Sequence, residues 1–195
     1  MAKIKSAWEK VLERTEDIQI DKDKLRHAAE VDKIRRIAGA YLSDDKSEED
    51  MESELSAVKD RSAVKEALSS LLVSNLSITE TVNEARLERL LDVVSVLASG
   101  SPQLVQFVQQ IIAFIQQYPV QRDELLKRLE EQYRPMLEEK EAKLSKQYGQ
   151  QVHLSAENDK EFMQMANKNL DRLLQQYTQT LVGAKDQLKE LIDQL

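Results

Sequence analysis

Few residues in this chain have the type and spacing to do chemistry. His27 and Glu30 in "HAAE" stand three apart, which puts an imidazole and a carboxylate on one face of a helix. A metal centre needs further ligands arranged around that pair. Neither H-E-x-x-H nor Glu-x-x-His occurs, so the zinc-hydrolase and di-iron bundle patterns are missing. His153, the other histidine, falls in an expected loop. The acids Asp44, Asp45, Glu48, Glu49, Asp50, Glu52 and Glu54 would attract calcium or a basic partner, but they have neither the glycine nor the ligand spacing of an EF-hand. They read as a solvated connection and helix start. No glycine-rich phosphate loop and no cysteine is present. No catalytic, metal or cofactor residue is therefore assigned, no cofactor is expected, and the chain is read as not an enzyme.

The most informative stretch is "QLVQFVQQIIAFIQQYPV", Gln103 to Val120. It carries no charge in a chain where Asp, Glu, Lys and Arg fill 32% of positions. As a helix, Leu104, Val108, Ile111, Ile115 and Tyr118 form one stripe, widened by Phe107 and Phe114. Gln106, Gln109, Gln110 and Gln117 lie largely opposite. Charge is excluded from dehydrated sites, whereas an amide enters them if it finds a hydrogen-bond partner. The pattern predicts a helix covered on more than one side. Its cover is either its own chain, the first reading, or another subunit; in the second case the interface residues are Gln106, Phe107, Gln109, Gln110, Phe114 and Gln117. A membrane span is not expected, because Gly100, Ser101, Pro102 and the glutamines interrupt the roughly 20 apolar residues a span needs.

These residues must be held by helices. Glycine, proline and aromatic residues are too scarce for the turns and strands of a β protein, so an all-α fold with more than about 65% helix is expected, against the usual third. It is read as an elongated helical bundle or a set of helical hairpins with a long C-terminal helix. Ser6 and Glu9 predict a capped helix from Ala7 to about Arg14. "TEDIQIDKDK" is expected to break it. A second helix, capped by Asp21 or Asp23, then carries Leu25, Ala28, Ile34, Ile37, Ala38 and Tyr41 to about Leu42. Glu48, Glu49 and Asp50 suit the start of a third, which Asp60–Ser62 interrupts. Ser77 and Glu80 predict another start, and Gly100 a stop. Ser101 and Pro102 open the uncharged helix, expected to end before Pro119. A further helix from near Arg122 is expected to run through Pro135 with a kink and to close at Gly149. Ser155 is expected to cap the last helix, Ala156 to Leu195, where Gly183 marks a close contact or a frayed end. Its apolar positions from Ala166 to Leu195 advance in steps of four, three and four, a repeat of about 3.67 residues per turn that keeps one stripe with almost no supercoil.

The organisation expected is an N-terminal helical segment, residues 1–45, and a main helical domain, residues 46–195. A net charge of −7 and a pI near 5.1 argue against nucleic acid as a partner, since phosphate calls for surplus Lys and Arg. "KIRR" at Lys33–Arg36 is a solvated face. "MAKIKSAWEKVLERTED" lacks the apolar core of a signal peptide, so a cytoplasmic location is expected.

The segments "AKIKSAWEKVLERTEDI", "RRIAGAYL", "EEQYRPMLEEKEAKLSKQYG" and "EFMQMANKNLDRLLQQY" resemble an uncharacterised family of helical bacterial proteins of spirochaete type, a domain of unknown function. The similarity covers most of the chain, and the resemblance brings no site residues. The leading functional reading is a non-enzymatic scaffold or adaptor with a protein partner, or self-association as a homodimer. A cytoplasmic chaperone or export-escort protein gripping a client segment is the alternative. A metal-binding helical-bundle enzyme comes third.

Overall fold

The computed structural model describes residues 7–98 and 101–195, with side chains from residue 22 onward. The described residues hold six α-helices and no strand, and helix makes up 83%. In order they are α1 (Ala7–Leu42), α2 (Glu48–Ser56), α3 (Arg61–Asn75), α4 (Glu84–Leu97), α5 (Pro102–Tyr148), a 3-10 turn (Ala156–Asn158) and α6 (Lys160–Asp193). The all-α class and the long C-terminal helix are as expected. The Ser6 cap and the Gly100 stop lie outside the described residues.

Several boundaries differ from expectation. α1 is continuous where a break at "TEDIQIDKDK" was expected, because that segment holds no proline or glycine and removes no backbone hydrogen bond. Within the stripe expected from Leu25 to Tyr41, Leu25 is 70% exposed and Ala28 is exposed, while Val31, Ile34, Ile37, Ala38, Tyr41 and the following Leu42 are buried. α4 starts at Glu84 instead of at Ser77, since Ile78, Thr79, Thr81 and Val82 are β-branched and stiff at χ1. α5 passes straight through Pro119. Proline there forfeits one hydrogen bond at a cost of about 3 kcal/mol. Burial of neighbours such as Ile115 and Tyr118, at about 1.5–3 kcal/mol each, outweighs that cost. Pro135 also lies within this one helix, as expected.

Contact within the chain divides it into two compact units. The first comprises the chain up to Asn75 with Ala85–Val108 and Leu188–Leu195. Its α1 packs on α2 and α3. Ile34, Met51, Leu68, Leu72, Leu90 and Leu104 are among its fully buried side chains. Ser47 caps α2 through its hydroxyl at 3.2 Å from the Asp50 N–H, and Asp60 caps α3 by accepting from the Ala63 N–H at 3.1 Å. Arg86 ties two helix ends together: it donates to Asn75 Oδ1 at 2.9 and 3.1 Å and to the Leu42 carbonyl at 3.3 Å. A cation is favoured at both C-termini.

The second unit comprises Leu76–Glu84 and Gln109–Gln187. Leu129, Tyr133 and Leu137 of α5 enclose a core with Phe162 and Ala166 of α6. Phe114 meets Tyr177 and Tyr133 meets Phe162, so positions rise along α5 as they fall along α6. The two helices form an antiparallel hairpin. α5 stops at Gly149, whose φ of 67° is a left-handed conformation that glycine adopts without strain.

Candidate interaction surface

A charged clasp sets the register of the α5–α6 hairpin. Lys140 Nζ on α5 donates to Asp159 Oδ2 at 2.6 Å, Glu161 Oε2 at 2.7 Å and the Tyr133 hydroxyl at 2.8 Å. The Tyr133 hydroxyl in turn donates to Asp159 Oδ1 at 2.8 Å. That oxygen also accepts from the Glu161 and Phe162 N–H groups, so Asp159 is the N-cap of α6. This corrects the expected cap at Ser155, which stands before the 3-10 turn with its hydroxyl engaged by Asn158. A carboxylate that caps and pairs with Lys140 at once wins over a hydroxyl. The Lys140 ammonium, and after it the Phe162 N–H, hold the Asp159 carboxyl well below its ordinary range.

Further along the hairpin the seam is aromatic. Phe114 stacks on Tyr177 with centroids 4.6 Å apart, and Tyr118 meets the same ring edge-on at 5.3 Å. This register brings Gln109–Val120 alongside Leu173–Ala184. Neither segment carries a charge. On one side of the seam the residues Leu76–Glu84 lie against α5, with Glu80 3.7 Å from Arg122, and the charges of both and of Asp171 reach Tyr118. Helical phase sends Gln110, Gln117 and Gln121 of α5 to the other side, together with Gln176 and Thr180 of α6. All five are exposed, while Phe114, Leu173 and Tyr177 between them are half-buried. The result is an uncharged groove with an apolar floor and amide rims.

Of the residues assigned from sequence, Gln109, Gln110 and Gln117 are exposed in this unit and Phe114 is half-buried. Gln106 and Phe107 belong to the other unit, exposed and half-buried respectively. The expectation that the chain itself covers this helix on more than one side is thus corrected. Its own chain buries Leu104, Val108, Ile111, Ile112, Ile115 and Tyr118, a single broad stripe, while among the described residues Gln106, Gln109, Gln110 and Gln117 of the amide face are exposed. The contribution of α6 was missed. The absence of charge from Leu173 to Ala184 was the available signal, but only the hairpin register sets that stretch opposite the first.

A family model matches residues 51–190, well over half of the chain. The chain belongs to a family of unknown function, DUF6657. The matched span contains the whole groove and the clasp. No curated protein and no solved structure matches the chain.

Other features of this DUF6657 chain offer less. His27 lies between two carboxylates, Nε2 at 2.9 Å from Glu66 and Nδ1 at 3.4 Å from Asp60. They sit at opposite edges of the imidazole and do not converge on one point. Among the described residues no three His, Asp or Glu side chains are grouped to hold a metal ion. His153 is exposed, 3.8 Å from Glu141. An open cleft of about 710 Å³ is lined by Arg35, Lys65, Glu66, Ser69 and Lys189. Two of its cations are engaged within the unit: Lys65 donates to the Asp193 carbonyl at 2.7 Å and Arg35 lies 3.8 Å from Glu66. Among the described residues no helix is long and apolar enough to cross a membrane.

Proposed function

We propose that this chain is a non-enzymatic helical scaffold or adaptor that works by protein–protein contact through the α5–α6 groove. One observation carries the reading: an exposed face without charge, floored by half-buried Phe114, Leu173 and Tyr177, in a chain that is 32% charged. Solvent alone gives no reason to keep Lys and Glu off such a face, whereas a dehydrated contact penalises them by several kcal/mol in order of magnitude. The clasp supports the same reading, since a hairpin of fixed register presents a fixed surface. The cellular setting that goes with it is bacterial, of spirochaete type, and cytoplasmic, with no nucleic-acid partner.

The chaperone alternative draws on the same apolar floor, which would grip an extended client segment. Photo-crosslinking tests the proposal. A crosslinker at Gln117 should give discrete protein adducts in native extract that the same group at exposed Glu131 does not. Equal adducts at both positions overturn the contact reading. Suppression of a model protein's aggregation, lost on Phe114→Asp, would favour the chaperone.

A further inference from the structure

We infer that the occupant of the α5–α6 groove is a second copy of this chain, docked with the same groove facing it. This deepens the contact reading above and rests on it. The chain has a formal net charge of −7, so two copies repel wherever their surfaces meet at random. A basic partner would call for carboxylates along the groove, and an acidic one for Lys or Arg. Between Gln109 and Val120 on α5 and between Leu173 and Ala184 on α6 the rims carry neither; at the end of the groove Gln121 donates to Glu124 Oε2 at 3.4 Å. Gln110, Gln117, Gln121, Gln176 and Thr180 are exposed and uncharged, and an amide both donates and accepts. A rim of amides is therefore complementary to itself, as a two-fold contact requires.

The burial pattern along α6 points the same way. Its apolar stripe is closed at both ends, with Ala166, Leu181, Leu188 and Ile192 at 2–5% exposure. Between them Leu170, Leu173 and Tyr177, members of the same stripe, are only half-buried. They face the seam that α5 alone does not close. A second hairpin laid across it would complete a four-helix layer, in which such a stripe is ordinarily covered.

The size of the surface sets the strength. Twelve residues on each helix run about 18 Å at 1.5 Å per residue. Two helices side by side are about 20 Å wide, giving a flat footprint of roughly 360 Å² per copy, under half of the ~800 Å² of a standard interface. The dimer is expected to be weak, half dissociated at micromolar to tens of micromolar chain.

The chain has no cysteine, so single introduced thiols report without interference. Gln110→Cys, Gln117→Cys, Gln176→Cys and Thr180→Cys should be oxidised at about 50 µM, with Glu131→Cys as the control. At least one of the four should form an intermolecular disulfide tenfold faster than the control. Sedimentation of the wild type should show a reversible dimer, weakened at least tenfold by Gln117→Glu with Thr180→Glu at unchanged helix content. A wild type that stays monomeric to about 500 µM overturns the inference, as does a dimer indifferent to the double substitution. If the chain is monomeric and Gln117 still crosslinks a different protein, the second copy fails while the adaptor reading stands. If neither contact appears, both fail.

Discussion

The Lys140 ammonium lies 2.6 Å from Oδ2 of Asp159, while the other oxygen of that carboxylate caps α6. The carboxyl is held well below the usual carboxylate range, chiefly by Lys140. A depressed acid contributes stability above its unfolded pKa and loses it as pH falls. The wild type should therefore lose stability progressively below about pH 4, and Asp159→Asn should flatten that limb. At neutral pH the same substitution should lower the melting temperature more than Glu139→Gln, which breaks only the exposed Glu139–Lys143 pair. Melting curves at pH 3, 4 and 7 check both statements.

His27 gives a pH dependence of the opposite sign. The Glu66 carboxylate, and less strongly Asp60, raise its pKa above 6.5 against the desolvation that lowers it; Arg35 faces Glu66 on the same surface. A group raised on folding contributes fully below its unfolded pKa and loses that contribution as pH rises through the folded value. The wild type should lose its advantage over His27→Gln as pH rises above about 6.5. A difference that grows with pH would contradict this placement of the ring.

Much of the helical pattern was legible because its signals are local. Ser101–Pro102 open α5, Glu48–Asp50 open α2, and Gly149 ends α5. Where local and tertiary terms compete, sequence reading failed. Pro119 read as a stop because its hydrogen-bond loss is local, while the burial that outweighs it comes from packing elsewhere in the unit. Leu25 read as core because periodicity marks a stripe without saying where along it a neighbour begins. The uncharged run of α5 was visible, but the groove was not, since Gln117 and Thr180 share it only through a register fixed far along the chain by Lys140 and Asp159.

That limit of the α1 stripe is measurable. Ile34 is 0% exposed and Leu25 is 70% exposed. Ile34→Ala should cost about 2–5 kcal/mol, and Leu25→Ala should stay within about 0.5 kcal/mol. Comparable losses at both sites in urea denaturation would place the end of the packed stripe nearer the N-terminus.

Pro135 and Gly183 both disfavour the helices that contain them. Pro135 is exposed, and a Cβ on Gly183 would meet no atom within 4 Å, so no close contact explains that glycine. Pro135→Ala should stabilise the hairpin by about 1–3 kcal/mol. Gly183→Ala should add about 0.5–1 kcal/mol. A lower melting temperature for Pro135→Ala would mean that the proline's local geometry is needed to seat Tyr133 and Leu137 on α6.

The groove floor rests on the contact between Phe114 and Tyr177, stacked at 4.6 Å and inclined by 19°. Rings in that arrangement share about 0.5–1.5 kcal/mol beyond the area they bury. A double-mutant cycle isolates that share: Phe114→Leu, Tyr177→Leu and the pair, each unfolded in urea at low micromolar concentration. The loss of the double variant should fall short of the sum of the single losses by the coupling. Tyr118 also touches Tyr177, but that edge contact is lost alike in Tyr177→Leu and in the double variant, so it cancels from the coupling. Losses that add to within about 0.3 kcal/mol, the range of independent sites, would mean that the rings lie together without holding α5 to α6, and that the charged clasp alone fixes the register of the groove.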